Sequence, residues 1–150
     1  MAGRTFSAIG DQTVTTTLTT ALAVIASAAI RPSIIYAAFS CGTDELDDML
    51  NWQMQRFTVS GGGTSFTPVP LTFEDVASIT TATSNSTVEP TYTATEFLMD
   101  INVNTRSFQQ WYAQPGREMN CAQAADDGIG TGALHATSTP AIVTTQHFVE

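Results

Sequence analysis

Lysine does not occur in this 150-residue chain, and its five bases are all arginine (Arg4, Arg31, Arg56, Arg106, Arg117) against fourteen acids, for a net charge of -9. Nucleic acids and anionic membranes are held by clustered Lys and Arg. The charge balance therefore argues against both as partners, and the retained arginines suit planar pairing with carboxylates at buried or interfacial positions. Cysteine is nearly absent: Cys41 and Cys121 match no zinc or redox spacing and read as small structural hydrophobes. Long apolar runs are missing too. The longest, Leu18 to Ile30 (LTTALAVIASAAI), falls short of the roughly 20 residues a spanning helix needs. A Thr-rich approach carrying Asp11 precedes it, in place of the basic start of a secretory leader, so it reads as strand.

Signatures of catalysis are also lacking. There is no G-x-S-x-G elbow, no H-E-x-x-H helix and no G-x-x-x-x-G-K loop, and Gly128, Gly130 and Gly132 lack the last spacing of a dinucleotide site. Asp44, Glu45, Asp47 and Asp48 lack the alternating oxygens and sixth-position glycine of a calcium loop, so they read as a solvated turn. His135 and His147 lie on two tail strands expected to pair around Ser138-Thr139-Pro140, which puts the imidazoles out of register for a shared metal. The expectation is a non-enzyme with no cofactor and no metal.

What the chain has in abundance is threonine, 25 residues of it, and a β-branched composition of this kind favours pleated sheet. The organising stretch is Arg56 to Leu71, RFTVSGGGTSFTPVPL. It reads as a strand, a glycine turn and an extended exit that Pro68 and Pro70 keep out of helix. Before it, residues 4–9 are an extended opening ended by Gly10-Asp11 and read as an arm; Val14 to Val24 alternates with period two; Ser33 to Phe39 is apolar on both faces. Leu50, Trp52 and Met54 hand the apolar phase to Phe57 and Val59, which predicts a bulge near Arg56. Thr72 to Asp75 has capping-box character for one helical turn, Ser78 to Pro90 reads as a loop, and Phe97 to Val103 alternates again. Residues 129–137 and 141–149 close the pattern. The fold expected is one all-β domain, an antiparallel β-sandwich or jelly-roll with long loops and an extended N-terminal arm. Phe108, Trp111 and Tyr112 form an aromatic group that could serve a lectin-like platform, although core or interface is the commoner use.

The order SIIYAAFS, DELDD, MQRFTVSGGG, SFTPVPL, STVEPTYTATEF, DINVNTRSFQQWYAQP and TTQHFVE resembles a recurring small virion protein of tailed bacteriophages. Residues 109–132, with Cys121 and an Asp-Asp-Gly-Ile-Gly run, depart from that pattern. The resemblance implies a capsid decoration or cement protein, made in the bacterial host cytoplasm, that binds the major capsid protein on the outer surface of the shell as a homotrimer. A neck or tail accessory protein and a sugar-binding sandwich are the alternatives. The interface residues expected are Arg4 and Phe6 in the arm, Arg56, Phe66, Pro68 and Pro70 around the glycine turn, and Trp111.

Overall fold

The computed structural model describes residues 3–42, 47–122, 124–135, 137 and 139–150. Twelve strands follow in chain order: β1 (Thr5–Thr13), β2 (Thr19–Ile25), β3 (Ser33–Cys41), β4 (Met49–Val59), β5 (Gly62–Phe66), β6 (Val69–Pro70), β7 (Thr81–Val88), β8 (Thr91–Asn104), β9 (Phe108–Tyr112), β10 (Met119–Asn120), β11 (Gly128–Leu134) and β12 (Ala141–Val149). They form two antiparallel six-stranded sheets packed as a sandwich, with no helix among the described residues. The first sheet runs β10-β3-β12-β1-β6, with β9 also on β3; the second runs β5-β7-β2-β11-β4-β8.

Alternation builds the layers. In β12, Ile142, Thr144, Gln146 and Phe148 point inward, and in β4 Leu50, Trp52 and Met54 do the same from the other sheet. Trp52 meets Phe39 of β3 across the layers, with ring centroids 5.0 Å apart, and Phe6 stacks on its strand partner Phe148 at 5.8 Å. Gly10 stays on the inward face of β1 because the sheets approach closely there: a Cβ would lie 2.2 Å from the Ala21 carbonyl oxygen.

Several expectations change. Residues 5–13 are no arm but an inner strand between β12 and β6, because Phe6 and Ala8 supply core and Gly10 continues the strand instead of turning it. Ser78 to Pro90 contains β7, whose Ala82 is buried between β5 and β2, so a Ser/Thr-rich run becomes strand when its few apolar residues fall in phase. Residues 14–18 precede β2 and are not strand, and 72–75 form a turn closed by the Asp75 amide on the Thr72 carbonyl at 3.0 Å. The tail strands do not pair: β11 lies between β2 and β4 and β12 between β1 and β3, in opposite sheets. The bulge near Arg56 is present, as register shifts at Met54/Gln55, Gln55/Phe57 and Phe57/Val59 against β8.

One polar pair bridges the core. The fully buried Gln146 amide donates to Thr131 Oγ1 of the facing sheet, and Gln146 Oε1 has no partner among the described residues. Thr131→Val should cost about 1–3 kcal/mol because it strands the amide, whereas adding Gln146→Met should recover most of that loss. Urea midpoints of the two singles and the double would test this, and additive losses would contradict it.

Candidate functional site

The outward face of the first sheet is a surface with a consistent chemistry. Tyr112, Tyr36, His147 and Ser7 are successive cross-strand partners on β9, β3, β12 and β1, and Val69 of β6 continues the row. The Tyr36 ring lies 4.9 Å from Tyr112 and 4.6 Å from His147. Gln110 ties the tyrosines together, donating to the Tyr36 hydroxyl at 3.2 Å and accepting from the Tyr112 hydroxyl at 3.3 Å. Burial holds His147 below the usual imidazole pKa, so the ring is neutral at neutral pH. Tyr112 is 64% exposed, Val69 64%, Ile9 58% and Phe108 57%. Among the outward positions of β1, β3, β9 and β12 that share this face, the one charged residue is Asp11. In a chain with net charge -9 that is strong local depletion, the compositional mark of an interface centre.

The residues singled out from sequence lie elsewhere. Phe6 and Pro68 are buried, so neither can present itself to a partner. Phe66 packs half-buried against the core and Pro70 is half-buried opposite Phe6. Arg4 sits 5.7 Å over the Phe6 ring and 3.5 Å from Glu150, and Arg56 Nε donates to the Asn120 carbonyl at 3.1 Å. Trp111 points the opposite way from Phe108 and Tyr112. It lines an open cleft where β8 faces β9 and β10, made of two adjoining cavities of 470 and 270 Å³ that share Leu98, Trp111 and Met119. The expected aromatic group is therefore split between two faces of β9, with Phe108 and Tyr112 outward and Trp111 in the cleft. The face was missed because Tyr36, Ile9 and His147 come from strands whose pairing the sequence does not give.

At the opposite edge, after β6, lies a loop of exposed apolar residues: Leu71, Val76 and Ile79 are each more than half exposed and Phe73 is 100% exposed. Both loop ends are fixed. The Leu71 amide donates to the Thr5 carbonyl at 2.9 Å, and the Glu150 carboxylate, its side chain 0% exposed, accepts from the Ser78 hydroxyl and from the Thr80 amide at 2.8 Å. Burial alone would raise the Glu150 carboxyl, but these bonds outweigh it and hold its pKa below the ordinary 4.5. A depressed folded pKa means stability that is present above the unfolded value and lost as pH falls through the folded one. Urea midpoints should therefore fall from pH 5 toward pH 3 more steeply in the native protein than in Glu150→Gln; identical slopes would remove this role.

The remaining reactive groups are committed to the fold. Burial pushes the Cys121 thiol up to about 12, so it is no nucleophile, and Cys41 lies at the other end of β3. His135 Nδ1 accepts from the Thr137 amide at 3.2 Å, while Nε2 meets Asp48 at 2.9 Å. Asp44 and Glu45 lie outside the described residues, as does Ser138 of the expected tail turn. No group of three or more His, Cys, Asp or Glu that could hold a metal occurs among the described residues, and no described helix is long and apolar enough to cross a membrane. No family model, curated protein or solved structure matches the chain.

Proposed function

We propose that the protein is a capsid decoration protein of a tailed bacteriophage, a homotrimer that cements the shell by binding the major capsid protein on its outer surface. The observation that carries a binding role is the charge-poor aromatic face of the first sheet, offered by a domain that is otherwise acidic. The shell is named by the sequence resemblance, and net charge supports the outside: packaged DNA repels a chain at -9. Arginines are also engaged within the fold, Arg4 with Glu150, Arg31 with the Cys121 carbonyl and Arg56 with the Asn120 carbonyl. A symmetric oligomer at a seam of shell subunits gains avidity from several modest contacts.

Tyr112→Asp and Ile9→Asp place charge on this face, on side chains exposed enough that folding should change by less than about 1 kcal/mol. Binding to isolated shells should weaken at least about tenfold. Unchanged shell binding by both variants would remove the face from the interface. A sugar-binding sandwich is the second reading, favoured by the exposed Tyr112 ring beside Gln110; retention on glycan columns, abolished by Tyr112→Ala, would select it.

A further inference from the structure

The Phe73 loop and the Trp111 cleft belong to opposite edges of one sandwich, since β6 ends the first sheet on one side and β9 and β10 end it on the other. Neither can satisfy the other within a molecule. We propose that copies of this chain associate head to tail, the Phe73 loop of one inserting into the cleft lined by Leu98, Trp111 and Met119 of the next. A fully exposed phenylalanine among three exposed aliphatics is a surface that monomeric proteins avoid. The cleft offers matching chemistry: its 270 Å³ part has Leu98, Met99, Ile101, Trp111 and Met119 for walls, side chains that adapt to an inserted ring, and its 470 Å³ part adds the polar Gln114 and Arg117.

Charge fixes the polarity. Glu74 and Asp75 follow Phe73 directly, and Arg117 stands exposed at the wall of the cleft with no ion pair among the described residues. Docking the loop brings two carboxylates to that guanidinium, the bidentate partner it suits. The loop is held at both ends, at Thr5 and at Glu150, so little ordering is lost on insertion. Because knob and socket are different surfaces, the contact is heterologous; it closes into a ring when successive rotations close and extends otherwise. The inference deepens the trimer reading by naming the surfaces that join the copies, and it does not depend on shell binding.

Analytical ultracentrifugation of the purified full chain tests it. The native protein should sediment as an oligomer, and Phe73→Ser and Leu98→Arg should each sediment as monomers with unchanged circular dichroism. An equimolar mixture of the two variants should form a heterodimer, because one native loop and one native cleft remain between them. Should Leu98→Arg fail to fold, exposed Arg117→Glu should weaken self-association severalfold. Adding Glu74→Arg and Asp75→Arg to that chain should restore it. A monomeric native protein, an oligomeric Phe73→Ser, a mixture that stays monomeric or a charge swap without rescue would each overturn the proposal. Loss of shell binding by a Phe73→Ser that remains oligomeric would assign the loop to the shell instead, leaving the decoration reading intact.

Discussion

Trp52→Ala is expected to destabilise the protein by about 3–5 kcal/mol, the cost of emptying a large buried aromatic site. Trp52 is 1% exposed and is the largest fully buried side chain, and its ring contact at 5.0 Å with Phe39 joins one sheet to the other. Neighbours cannot readily collapse into the void, because Leu50 and Met54 are fixed on the same strand face and Ala37 and Ala133 are too small to reach across. Measured against the 5–15 kcal/mol typical of a domain, such a loss removes much of the folded population at elevated temperature. Phe39→Leu in the same background should add less than it costs alone, since its main partner is already gone. Guanidinium titrations would check both numbers, and a loss under about 1 kcal/mol for Trp52→Ala would show that the sheets are held elsewhere.

Gly130→Val should cost about 3 kcal/mol or more, through overpacking rather than a cavity. Gly128, Gly130 and Gly132 alternate on the outer face of β11, which leaves a trough across the middle of the second sheet. The chain between β7 and β8 crosses there, and Tyr92 fills the trough: a Cβ on Gly130 would lie 2.3 Å from the tyrosine oxygen and 2.9 Å from its ring. Tyr92 has little freedom to withdraw. Its hydroxyl is hydrogen-bonded to Thr20, its ring meets Phe57 edge-on at 6.3 Å, and Glu89 beside it accepts from the Thr20 amide at 3.0 Å. Burial raises the Tyr92 pKa, in keeping with a hydroxyl shut away from water. Tyr92→Ala should destabilise the native protein yet partly restore Gly130→Val, and thermal melts of the two singles and the double decide it. Simple additivity would mean that the ring does not fill the trough.

The class of fold was legible because most strands carry period-two or doubly apolar patterns, as in 33–39, 49–54 and 141–149, and because nothing in the chain favours helix over ten residues. Three things were not legible, each for a physical reason. Gly10 looked like a turn because glycine serves turns and close approaches alike, and only the facing Ala21 carbonyl shows which is needed. Residues 81–88 looked like a loop because threonine and serine fit an edge-proximal strand as well as a loop, and the buried Ala82 is too small to mark the phase. Strand partners could not be read at all. That hid both the neutral row from Tyr112 to Ser7 and the separation of β11, which His135 follows, from the His147 strand β12 into different sheets. The glycines at 128, 130 and 132 lie in strand β11, and the use of Gly130 in seating Tyr92 depends on a crossover that no local pattern encodes.

Near-atomic imaging of intact virions tests the central claim most directly. The decoration reading predicts this chain on the outer surface of the shell, in repeated copies over seams between subunits, with Ile9, Tyr36 and Tyr112 turned toward the major capsid protein. Finding the chain on the DNA side, only at the neck or tail, or seated outside with that face turned to solvent would contradict it.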